Sequence, residues 1–316
     1  MQKVLSGANR EALGFIGANW LGLLKMSVIP VLFQMAVGFW QIRNMGEFYR
    51  KIGAITPGGI PGPEFIRTYV AMMGVSFFGS IVALCLLGLL FVQVVRFRRG
   101  GAVSWLPMDK ASWGAGVMTI VYAIGIGLLT MLAYFAAAIA MMIAFGILAV
   151  VFQIVTSGGS GGAGTVLGVL FVILVIVAVV AFLFWFFFRF AVGLPGVALG
   201  HSPDFFKDMW TLTKGESWGV PLRMLLATLI MYVPMTILFA VFLLPSLFET
   251  GAKIGQQAGD PNPFAMMPLL ADMMDHMAPV TILMGLIMMP YNWFVMLLLA
   301  IAFDRFLARV NQAPAK

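Results

Sequence analysis

The side chains best placed to do chemistry in this chain are sulfur and imidazole. Met266-Met267 and Met273-Met274-Asp275-His276-Met277 gather thioethers around one imidazole. Such a ligand set suits Cu(I), so Met273, Met274, His276 and Met277 are the metal candidates. The competing reading is packing, because Met adapts to irregular apolar gaps. The chain holds 24 Met, with further pairs at Met72-Met73, Met141-Met142 and Met288-Met289 inside apolar runs. Other chemistry is sparse. There is no His-Glu-x-x-His pair and no Walker loop, and the run Gly158 to Gly162 lacks the following Lys that a phosphate cradle needs. No catalytic residue and no cofactor are expected, and the chain reads as non-enzymatic.

The elements that must position these residues follow from charge. Between Lys110 and Arg189 lie 78 residues, Ala111 to Phe188, without an Asp, Glu, Lys or Arg. One helical pass needs roughly 20 apolar residues, so this stretch crosses a membrane more than once. The glycine-rich run Ser157 to Gly164 reads as the tip of a helical hairpin. Hydrophobic residues make up 62% of the chain and charged ones 10%, against about 25% charged in a soluble domain. The expected fold is all-α: a polytopic membrane helix bundle, residues 1–316 forming one integral membrane domain. Met1 to Val4 shows no signal-peptide pattern, so insertion through an uncleaved first helix is expected. Cys85, the single cysteine, reads as a small packing residue. The net charge of +7 is ordinary for basic cytoplasmic loops and does not imply nucleic acid.

Uncharged windows place six passes at about 20–42, 68–95, 116–155, 165–188, 224–248 and 277–303. Counting Lys and Arg on alternate sides puts 14 of 19 with the termini, and Arg43, Arg50, Lys51, Arg67 and Lys253 on the other side. The positive-inside rule then predicts cytoplasmic termini. The third window is long enough for two passes, but a seventh helix would move Arg189 to Arg223 outside and the acidic loop Glu249 to Asp275 inside. One long helix is therefore expected. His201 and His276 fall on opposite sides and cannot share a metal within one chain.

A threefold pattern runs through these passes. Asn19-Trp20-Leu21-Gly22, Ser112-Trp113-Gly114 and Ser217-Trp218-Gly219 mark three entries; Arg96-Phe97, Arg189-Phe190 and Arg305-Phe306 mark three returns. Trp20 to Arg96 and Trp113 to Arg189 are each 76 residues apart, and Trp218 to Arg305 is 87. Trp favours the headgroup level and Arg anchors a helix end there. Trp20, Trp113, Trp218, Arg96, Arg189 and Arg305 are thus candidate interfacial anchors. Lys25 and Arg223, five residues after their entry Trp, can snorkel back to the same level. Three pseudo-repeated hairpins are one reading; independent interfacial Trp and Arg are the other. Segments 8–19 and 204–214 carry apolar residues beside charges and read as interfacial helices, or as helices packed on the bundle ends.

Arg189-Phe190-Ala191-Val192-Gly193-Leu194-Pro195, then Phe206 to Trp210, then Thr211-Leu212-Thr213-Lys214-Gly215-Glu216-Ser217-Trp218 resembles a motif of certain bacterial inner-membrane proteins. These are the membrane domain fused to glycerophosphodiester phosphodiesterases and the related YciC-like proteins. The similarity covers about 30 residues, and the chain departs from the pattern at Gly200, Met209 and Glu216. It implies a six-helix membrane domain and no phosphodiesterase activity.

Two functional expectations follow. The first is a scaffold, or a factor in envelope or lipid homeostasis, whose partners are the bilayer, a membrane protein or a second copy. The second is a transporter or permease subunit for a small hydrophobic or amphiphilic solute. It would require a polar path lined by some of Gln34, Thr130, Tyr134, Tyr232, Tyr291 and Asn292. Pro30, Pro234, Pro245 and Pro290 put kinks in helices one, five and six, either as hinges of a mobile half or as static bends. A mitochondrial-carrier reading fails because no odd-numbered helix ends in Pro-x-Asp/Glu-x-x-Lys/Arg.

Overall fold

A computed structural model describes residues 4–54, 62–156, 163–201, 207–216, 218–257 and 267–312. Among the described residues the chain is all-α, in the order α1 (Ala8–Gly53), α2 (Pro63–Arg98), α3 (Lys110–Thr156), α4 (Ala163–Ala191), α5 (Leu194–Ala198), α6 (Lys207–Leu212), α7 (Gly219–Gln257) and α8 (Met267–Gln312). Six of them, α1 to α4, α7 and α8, are long and apolar enough to cross a membrane. With no water in a bilayer core, each crossing must satisfy its own backbone, and a helix does so within one segment.

The long third window is one helix: α3 runs unbroken through 47 residues, about 70 Å at 1.5 Å per residue. The glycine-rich tip expected after it lies at 157–162, outside the described residues. Elsewhere the helices outrun the apolar windows, because hydropathy marks the membrane and not the helix. The largest difference at a helix start other than α1 is in α8, which begins at Met267, ten residues before the expected Met277. Met267, Met273, Met274 and Met277 are therefore helical, and Met266 lies outside the described residues.

The described chain falls into two compact units. One comprises Asn9–Val117 and Met224–Leu298. Here α1 lies between α2 and α8, antiparallel to both. Against α2, Gln41 Nε2 donates to the Ser76 carbonyl, and Phe48 stacks on Phe65 at 5.1 Å. Against α8 the backbones approach through glycine: a Cβ at Gly285 would lie 2.5 Å from Met35 Cγ, and one at Gly46 would lie 3.2 Å from the Ala271 carbonyl. Small residues at helix contacts are the usual device where lipid replaces water. One buried polar chain crosses this contact. Trp293 Nε1 donates to Ser27 Oγ at 2.6 Å, and that hydroxyl donates to the Leu23 carbonyl. Asn19 breaks the helical path of α1 (φ −126°, ψ 19°), so 8–18 forms a separate helical arm. Glu11 and Phe15 tie that arm to the end of α2, by a 2.8 Å ion pair with Arg98 and an edge contact with Phe97. Of the two expectations for this segment, packing on the helix ends is the observed contact, while Leu13 stays exposed.

The other unit comprises Met1–Ala8, Met118–Arg223 and Leu299–Lys316. Its buried residues include Leu5, Phe190, Val192, Ala198, Met209, Val220, Phe303 and Phe306. Short helix α5 is buried along its length. It ends in a paired turn: His201 N–H bonds the Gly196 carbonyl and Gly200 N–H that of Val197, with Gly200 at φ +85°. That left-handed residue is where glycine is needed. Gly100 closes α2 the same way at φ +85°. Of the expected second interfacial segment, only 207–214 is described, and α6 occupies most of it.

Candidate functional site

The arginines at the helix returns do not simply reach toward water. Each grips the stretch of chain that leads into an entry helix. Arg96 Nη1 donates to Ser112 Oγ at 2.6 Å. Ser112 in turn donates its N–H to Asp109 Oδ2 at 2.7 Å, capping the first turn of α3. Trp113 Nε1 donates to the Pro107 carbonyl, which pins the same turn.

Arg189, only 6% exposed, repeats the arrangement ahead of α7. Its Nε donates to Thr213 Oγ1 at 3.0 Å and one Nη to the Trp210 carbonyl at 3.4 Å. The guanidinium lies against two indoles, 3.5 Å from the Trp210 ring centre and 5.1 Å from that of Trp185. A planar, weakly hydrated cation stacks on aromatic faces in this way where an ammonium would not. Arg309 adds bonds to the Leu212 and Lys214 carbonyls at 3.0 and 2.6 Å. Two arginines thus take up the unpaired carbonyls at the end of α6.

The third return closes on the start of the chain. Arg305 donates to the carbonyls of Val4 and Ser6 at 3.1 and 2.6 Å. Arg223 reaches the Leu5 carbonyl at 3.0 Å and that of Gly219 one turn back. The Glu216 carboxylate accepts from the Val4 and Leu5 N–H groups. Hence Arg96 holds the way into α3, Arg189 the way into α7, and Arg305 the way into α1. The repeat read from Trp and Arg spacing coincides with a repeated hydrogen-bonding role.

The entry tryptophans differ among themselves. Trp20 and Trp218 are half-exposed, and Trp218 lies 6.0 Å from Trp185. Lys25 points to the Trp105 ring at 5.9 Å. Glu216, Thr213, Trp185 and Arg309 are ties that sequence reasoning missed. Glu216 stands out in sequence only as a departure from the family pattern, and its partners lie 211 and 212 residues away.

At the opposite end of α1, Arg50 pairs with Asp275 and lies 3.8 Å from Asp272, and Lys51 donates to Thr68 Oγ1. Just along α8, Met273 and Met277 are half-buried and His276 is exposed, its Nδ1 2.7 Å from the Asp272 carbonyl. Met274 packs against α1, its Cβ facing Gly46.

The polar residues that a solute path would need take several positions. Gln34, Tyr134 and Tyr232 are exposed on spanning helices. Thr130 bonds its own helix at the Ile126 carbonyl, and Tyr291 pairs with Thr228 at 2.8 Å. Gln93 is buried, and neither of its side-chain polar atoms has a partner among the described residues.

Outside the spans one carboxyl is clearly perturbed. Hydrogen bonds from the Ser112 hydroxyl and N–H hold Asp109 below its ordinary value of 3.8. Compared with known families, curated proteins and solved structures, this chain matches none of them.

Proposed function

We propose that this chain is a non-enzymatic, membrane-embedded scaffold of a bacterial inner membrane, with both termini in the cytoplasm, serving envelope or lipid homeostasis through its apolar helix faces. The observation that carries this reading is the division of labour among its side chains. Its best-buried polar side chains tie one helix or segment to another, as Arg189, Ser27 and Thr213 do. Its apolar side chains face outward, and in α7 no residue from 225 to 242 is buried. A continuous open helix face of that length favours contact with lipid or another membrane helix over a solute path. The scatter of Gln34, Tyr134 and Tyr232 over exposed surface supports the scaffold against a transporter. The resemblance of 189–218 to the phosphodiesterase-linked membrane domain points the same way.

Photocrosslinkers at Leu229, Val233 and Ile237, all more than half exposed, test this in living membranes, with buried Leu89 and Met224 as controls. The scaffold predicts a protein adduct of one defined mass from α7 alone, together with no solute flux in proteoliposomes. Saturable uptake of an amphiphilic solute, or the same adducts from the buried controls, overturns it.

A further inference from the structure

We propose that Met273, His276 and Met277 form a soft-metal site for a monovalent cation, Cu(I) or Ag(I), on one face of α8. This goes beyond the scaffold reading and does not depend on it.

The helix first sorts the sequence candidates. Ala271 and Ala278 are buried, and Met274 and Asp275 face Gly46 of α1. That side of α8 is the packing side, so Met274 is a packing residue. Residues 273, 276 and 277 lie on the other side. Met273 and Met277 are four apart and Met273 and His276 three apart, the spacings at which helical side chains meet. Long helical side chains also lean toward the helix N-terminus, which carries the His276 ring and the Met277 thioether back over Met273.

The imidazole is oriented for ligation. A carbonyl only accepts, so the 2.7 Å contact with the Asp272 carbonyl places the proton on Nδ1. Nε2 is then the ring nitrogen available to a metal, on an exposed residue with no other partner among the described residues. Metal-bound histidines characteristically donate their other N–H to a carbonyl or carboxylate in this manner. The neighbouring hard donors are engaged: Arg50 holds Asp275 and stands 3.8 Å from Asp272. Two thioethers and one imidazole remain. That donor set favours a soft monovalent ion over Mg²⁺, Ca²⁺ or Mn²⁺.

The test uses the full chain in detergent, under reductant, with Cu(I) delivered from a chromophoric chelator and Ag(I) as a redox-inert check. One equivalent should be retained against the chelator, with sulfur and nitrogen neighbours in the copper-edge X-ray absorption spectrum. Met273→Leu and Met277→Leu keep side-chain volume while removing sulfur, and each should weaken retention at least tenfold, as should His276→Gln. Met72→Leu/Met73→Leu, a partly exposed pair on α2 without a histidine, should change nothing. No retention by the wild-type chain overturns the site, as does retention unmoved by the three substitutions or lowered equally by the α2 pair. A melting curve for each variant shows whether lost retention reflects lost ligands or lost fold.

Discussion

Arg189 shows how a charge is accommodated deep in this protein. Its guanidinium has two indole faces and two hydrogen-bond acceptors, Thr213 Oγ1 and the Trp210 carbonyl. Lysine keeps the charge but loses the plane and the fork. Arg189→Lys should therefore lower stability in detergent by about 1–3 kcal/mol, the range for a buried partner left unsatisfied. It should also shift tryptophan emission, because Trp185 and Trp210 lose the planar guanidinium packed against them. A melting temperature equal to wild type would remove Arg189 from the set of ties. Asp109 carries a pH effect whose direction follows from its bonds. The folded protein holds its carboxyl below the ordinary 3.8, so its contribution is present above that pH and fades as pH falls through the folded value. Asn still caps but does not titrate. Comparing melts of wild type and Asp109→Asn from pH 6 down to pH 3 should show the wild type losing more stability below about pH 4; parallel curves would refute the cap. The anchor types were legible from Trp20, Trp113, Trp218 and the three Arg-Phe pairs. Their partners were not, since nothing local links Arg305 to Val4 and Ser6, about 300 residues earlier.

Among the elements, the contact between α1 and α8 is set by glycine. A side chain at Gly285 would meet Met35 well inside van der Waals distance, whereas Gly127 in α3 has open space around it. Gly285→Val should cost about 1–3 kcal/mol by overpacking. Gly127→Ala should stabilise by roughly 0.5–1 kcal/mol, since Ala loses less backbone entropy in a helix. Thermal melts of the two variants should move in opposite directions; a neutral Gly285→Val would mean that α8 does not lie this close to α1. Helix α1 carries Pro30 in its interior and has one residue of non-helical geometry, Asn19, besides. The arm before Asn19 is tied to the end of α2 by the Glu11–Arg98 pair and the Phe15–Phe97 contact.

Among the described residues six helices are long and apolar enough to span; with the proposed cytoplasmic termini, they put both termini and the segments near Gly101 and Gly215 on the cytoplasmic side. Fusions of a fluorescent protein, which folds in the cytoplasm, and of alkaline phosphatase, which is active only outside it, read this directly. Fusions at Gly101, Gly215 and the C-terminus should fluoresce. Those at Ala54 and Gln257 should show phosphatase activity. Phosphatase activity at Gly215 would break the six-pass map and the common side assigned to the three arginine ties.

Sequence alone determined the all-α membrane class, the count of six spans and the single long α3, because a bilayer core leaves uncharged helices few alternatives and charge counts are additive along the chain. It also marked where tryptophan and arginine recur. The tertiary structure decided what those arginines hold, which methionine packs and which remain available as ligands, and that α1 stands between α2 and α8. Such choices depend on which side chains meet across hundreds of residues. Apolar patterning in a membrane span is nearly uniform around the helix, so it carries little record of the neighbour on each face.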